Sequence, residues 1–121
     1  MYNVYWQEGN KIEITIFEEL TQSEMEQIIH QLESLSAMYQ EINVLIDAVK
    51  VKRYDLRIMI ENYDFYKKYS KHLKKVAIVS DRKFANWLGE QLNKFTETEL
   101  KVFKNDELED ARQWIFPSRL P

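Results

Sequence analysis

The sequence predicts an α/β domain, with an N-terminal hairpin followed by alternating strands and helices around a mixed, mainly parallel sheet. Three observations carry that prediction. Ile12, Ile14 and Ile16 alternate with Lys11, Glu13 and Thr15, a period of two that marks a strand. Two short apolar runs, Val44 to Ile46 and Val76 to Val79, are bounded by polar residues, which is how strands covered on both faces of a parallel sheet read. Around these runs, apolar residues recur at helical spacing.

Met1 to Trp6 is rich in β-formers, and Glu8, Gly9 and Asn10 form a turn signal before the isoleucine strand; the pair reads as a hairpin with one buried face. Thr21 and Glu24 make a T-x-x-E capping box, which satisfies free amides at a helix start. Behind it, Met25, Ile28, Ile29, Leu32, Leu35 and Tyr39 repeat at helical spacing to about Gln40. A strand over Asn43–Asp47 follows, then a helix over Tyr54–Tyr69 with Leu56, Met59, Ile60 and Tyr63 on one stripe. A second core strand covers Val76–Ser80, and a right-handed crossover places it beside the first, with Asp47 and Ser80–Asp81 at one sheet edge. Asp81 caps the next helix, striped by Phe84, Trp87, Leu88, Gln91, Leu92 and Phe95. Leu100, Val102 and Phe103 make a last strand, and a final helix from Asn105 or Asp106 turns Leu108, Ala111, Trp114 and Ile115 inward until Pro117 stops it.

At 121 residues this is one domain, spanning 1–121. The apolar share of 45% and charged share of 31%, with only two Gly and two Pro, describe a folded globular chain. A net charge of −3 offers no footprint for nucleic acid. Cysteine is absent, which excludes disulfides, thiol catalysis and cysteine-based zinc sites together. No charged and apolar leader opens the chain and no apolar run approaches a membrane span, so the expectation is a cytoplasmic domain without a membrane-spanning segment.

Enzymatic signatures are missing. His30 and His72 are the only imidazoles, and neither sits in a motif with a nucleophile and an orienting acid. No H-E-x-x-H, G-x-S-x-G, P-loop or dinucleotide fingerprint occurs. The expectation is a protein that is not an enzyme, with no cofactor, no metal site and no catalytic residues.

The stretches "INVLIDAVKVKRYDL", "KKVAIVSDRKFANWLGEQLNKFTETELKVF" and "NDELEDARQWI", in that order and spacing, resemble the SpoIIAA-like (STAS-like) family of small uncharacterised bacterial proteins. The resemblance covers nearly the whole chain. It implies a SpoIIAA-like fold, related to that of the CRAL-TRIO lipid carriers and of the anti-sigma-factor antagonists. In the antagonists a partner kinase phosphorylates the Ser of an Asp-Ser-x-Gly motif where the helix after the central strand begins. Here Asp55 falls at the motif's Asp, Leu56 stands in place of the Ser, and no Gly follows. Leucine has no hydroxyl to carry a phosphate. The resemblance carries the fold and not the switch.

Two further features bear on function. Asp47 ends an apolar run at the sheet edge where α/β proteins bind ligands. Its carboxylate could accept a ligand hydrogen bond or pair with Arg53 or Arg57; equally, it could bond its own following amides in a turn. On the helix after it, Ile58, Phe65 and Tyr69 form a second apolar stripe, within about 60° of one another at 3.6 residues per turn. With Trp87 from the neighbouring helix, and Tyr54 and Asp55 at the corner, they make a candidate surface for a ligand or partner; burial between sheet and helices is the alternative. The lysines from Lys67 to Lys75 read as a helix C-terminus whose cations offset the macrodipole, or as a patch for anionic lipid head groups or an acidic partner. The function expected is a non-catalytic binding or interaction module lacking the phosphorylatable Ser. The alternative is a carrier of a lipid or small apolar ligand in a cavity walled by aromatic helices. The candidate partners are a protein, a small apolar ligand or a second copy of the chain.

Overall fold

The hairpin forms as expected in the computed structural model, which describes residues 1–53, 57, 64, 67, 68, 70–81, 90 and 98–118. Strand β1 (Tyr2–Glu8) turns through Gly9 and Asn10 into β2 (Lys11–Glu18). Gly9 takes φ 57°, a left-handed value that a side chain would strain. Asn10 then ties the turn to the next strand: its Nδ2 donates to the Glu41 carbonyl at 2.7 Å, and its own carbonyl accepts from the Asn43 amide at 2.9 Å.

Helix α1 (Gln22–Met38) starts on the expected capping box, with Thr21 Oγ1 accepting from the Glu24 amide and the Glu24 carboxylate accepting from the Thr21 amide. Met25, Ile28, Leu32 and Leu35 form its buried stripe. Strands β3 (Ile42–Val51), β4 (Leu73–Val79) and β5 (Glu99–Phe103) complete a sheet ordered β1-β2-β3-β4-β5. β1 is antiparallel to β2, and every later pair is parallel. The two expected core strands are therefore neighbours, with Asp47 opposite Val79. A 3₁₀ turn (Asn105–Glu107) leads into helix α2 (Leu108–Ile115).

Helices α1 and α2 pack on opposite faces of the sheet. Ile12, Ile14, Val44, Val76 and Ile78 pack with α1, whereas Leu45, Ala77 and Val79 pack with Ala111, Ile115 and Phe116 at α2. This corrects the reading of β2 as a strand with one buried face: Glu13 and Thr15 are buried as fully as their isoleucine neighbours. An interior strand has partners on both sides, and on this face Arg112 reaches from α2 to Glu13.

Two boundaries also differ from expectation. β3 does not stop at Asp47 but runs four residues further, because it keeps β2 as a partner. β4 begins at Leu73, so Lys74 and Lys75 lie on a strand; only Lys67, Lys68 and Lys71 of the basic run belong to helical turns. Of the two central helices, Arg57, Asp64, Lys67, Lys68 and Glu90 are described and helical. Their apolar stripes, the helix Asp81 is expected to cap, and the corner residue Leu56 lie outside the described residues. No helix among the described residues is long and apolar enough to cross a membrane.

Candidate functional site

The carboxyl edge of the sheet opens between β3 and β4. These strands pair up to Asp47 and Val79 and then part. β3 continues along β2, with Lys50 opposite Phe17 and Val51 opposite Glu18, while the amide of Ser80 turns the other way and donates to the Phe103 carbonyl at 3.2 Å. A bulge drives the divergence: between two register pairs, Ile16 of β2 faces both Ala48 and Val49 of β3. Such an extra residue bends its strand and sharpens its twist.

Asp47, still in register with Thr15, immediately precedes that bulge. Its Oδ1 accepts from the Val49 amide at 3.1 Å, the self-capping turn that Asp favours. Among the described residues it makes no ion pair with Arg53 or Arg57. At this corner Asp47 and Ser80 are both buried. Its β2 side is cationic: Lys50 Nζ lies 5.2 Å from the centre of the Phe17 ring, Lys52 Nζ pairs with Glu18 Oε1 at 3.2 Å, and Arg53 is exposed. Glu18 adopts φ 57°, a conformation non-glycine residues hold only when their surroundings require it. The requirement is visible, since its carbonyl accepts from the amides of both Lys52 (2.8 Å) and Arg53 (3.1 Å). The end of β2 thus clamps the chain as it leaves β3. Of the other candidates, Tyr54, Asp55, Ile58, Phe65, Tyr69 and Trp87 lie outside the described residues.

A second polar assembly lies on the α2 face and was not anticipated. Glu13, with no exposed surface, receives Arg112 Nε at 3.0 and 3.1 Å and Nη2 at 2.9 Å. Arg112 also donates to Glu109, one helical turn earlier, and its guanidinium lies 4.7 Å from the centre of the exposed Tyr5 ring. The Glu13 carboxylate pushes the Arg112 pKa above its ordinary value. This is a structural bridge from β2 to α2, and its forked geometry is the strong form of an arginine–carboxylate pair. A sequence signal existed in the glutamate at the middle of a strand too apolar to be an edge. Its partner, 99 residues away, had none.

Among the described residues no three His, Asp or Glu side chains gather as a metal-holding group. The arrangement defines a class: a five-stranded α/β domain with an antiparallel N-terminal hairpin and a parallel remainder. The profile of the SpoIIAA-like family matches residues 11–116, and the chain belongs to that family. Its fold is similar to the crystal structure of an uncharacterised protein of the DUF3478 family, with a SpoIIAA-like fold, from Shewanella loihica PV-4. The TM-score is 0.70 at 25% identity, over 95% of this chain and 92% of that one. No curated protein matches the sequence.

Proposed function

We propose that this protein is a non-catalytic, cytoplasmic binding or interaction module that presents the carboxyl corner of its sheet to a protein partner or a small apolar ligand. The observation that carries the reading is the parting of β3 and β4 beyond Asp47 and Val79, since crevices at the carboxyl ends of parallel strands are where open α/β sheets bind. The two buried carboxylates nearby support binding over chemistry. Asp47 is engaged by its own backbone and Glu13 by Arg112. At Leu56 the corner has no phosphate acceptor, so engagement there works without the antagonists' switch.

Native mass spectrometry tests this. The purified chain is expected to appear as a homodimer or with a retained small apolar molecule; the latter outcome selects the carrier form of the reading. Arg53→Glu at the exposed end of the corner, and Phe65→Ser in the second stripe, are expected to weaken that association while lowering thermal stability only modestly. A bare monomer overturns the reading. So does a Phe65→Ser variant that unfolds while Arg53→Glu associates as the parent does.

A further inference from the structure

The opposite, amino end of the sheet carries a separate cluster on the α2 face. Lys11 of β2, Asn43 of β3 and Lys75 of β4 are successive register partners, and strand alternation puts them on the same face as Glu13, Leu45 and Ala77. Neighbouring strands lie about 4.8 Å apart, so the two lysines flank the asparagine closely. Lys101, opposite Ala77 on β5, adds a third cation. Trp114 of α2, half-buried, draws two of them together: Lys75 Nζ lies 5.1 Å and Lys101 Nζ 5.0 Å from the ring centre, so the two ammonium groups are at most about 10 Å apart.

Two properties of this cluster are incomplete as they stand. Among the described residues no carboxylate pairs with Lys11, Lys75 or Lys101, and Glu99, the register partner of Lys75, makes no ion pair with either neighbouring lysine. Independently, Asn43 Oδ1 is buried and has no hydrogen-bond donor, a state that costs free energy and calls for a partner. Glu8 stands opposite Lys11 and Glu99 opposite Lys75, yet none of the three lysines closes an ion pair among the described residues, so a negative group fits here, whereas an orphaned amide oxygen wants an O–H or N–H. One molecule can supply both.

We infer that this edge binds a small organic oxyanion, a phosphate ester or carboxylate that also bears a hydroxyl. The negative group sits beside the Lys75 and Lys101 ammonium groups that lie over the Trp114 ring, and a rotation of the half-buried Asn43 side chain brings its Oδ1 to accept from the hydroxyl. This site lies at the other end of the sheet from the carboxyl corner and does not depend on it.

Amide and indole NMR spectra of the full chain, titrated with glycerol 3-phosphate, glycerate and neutral glycerol, test the assignment. Either anion is expected to shift the Trp114 indole N–H and the amides of Asn43 and Lys75, with glycerol giving no shift and added salt weakening the effect. The tighter of the two identifies the preferred anionic group. Lys75→Gln or Lys101→Gln should each weaken binding about fivefold. Asn43→Asp should abolish it by placing a carboxylate between the lysines. Absence of shifts with both anions overturns the proposal, as do shifts that persist in Asn43→Asp or in the folded Lys75→Gln/Lys101→Gln double variant. In that event the lysines only cover the indole.

Discussion

Glu13 has no exposed surface and Arg112 keeps 17% of its side chain in solvent, and that asymmetry sets what each residue's loss does. Removing Arg112 strands a carboxylate in the interior, and breaking such a buried pair costs about 3–5 kcal/mol. Removing the charge of Glu13 leaves an arginine that still has Glu109 and some water. Urea denaturation should therefore find Arg112→Ala clearly more destabilising than Glu13→Gln. A Glu13→Leu/Arg112→Leu double variant should recover much of the loss, because apolar pairs of similar volume replace buried ion pairs well. If Glu13→Gln is as damaging as Arg112→Ala, the carboxylate does more than neutralise the guanidinium. The same residue marks a limit of sequence reading. Alternation placed Glu13 on a solvent face, whereas in the folded chain it is buried and paired with an arginine 99 residues away on α2.

Among elements, α1 was the most legible, because its start and stripe are both local. Thr21, Glu24 and the spacing of Met25, Ile28, Leu32 and Leu35 specify it without reference to the rest of the chain. One part was not local. The hairpin returns Met1 to the start of α1, where its ammonium lies 2.9 Å from Glu24 Oε2. Burial acts to raise the Glu24 pKa, but hydrogen bonds from the Met1 ammonium and from Thr21 more than offset it, and the net shift is below the ordinary 4.5. A carboxylate depressed by folding contributes stability that is present above its unfolded value and is lost as pH falls through its folded value. Acid should therefore weaken the domain from about the ordinary glutamate range downward, and Glu24→Gln should flatten that part of the pH–stability profile while lowering stability at neutral pH. Thr21→Ala should cost about 1 kcal/mol at neutral pH. A parent and Glu24→Gln variant with parallel acid profiles would show that the cap carries no proton linkage. The basic run was less legible than α1: Lys74 and Lys75 look helical by charge, yet they lie within β4, where Lys75 lies against an indole supplied by α2.

For the whole molecule, the adjacency of residues 43–47 and 76–80 followed from two apolar runs and the crossover rule, since runs with no polar alternation need cover on both faces. What the runs could not specify was how far each strand extends, because the length of β3 depends on β2 and a bulge, not on its own hydrophobicity. The resulting sheet is uneven in protection, and amide exchange should record it. β3 has hydrogen-bonded neighbours on both sides and helices over both faces, so its amides from Val44 to Asp47 open only with the whole domain. β1 is an outer strand with a bulge at Tyr5, and its residues beyond Val4 are exposed; among the described strands it pairs with β2 alone. Hydrogen–deuterium exchange should rank β3 and the paired part of β4 slowest and β1 fastest among the strands. Residues Lys50 and Val51, which among the described strands keep β2 alone after β3 and β4 part, should exchange measurably faster than Leu45 and Ile46. Equal protection along the full length of β3 would mean that the carboxyl corner is closed by a second partner strand or segment, and the opening between β3 and β4 would then not be a place where a ligand or protein can enter.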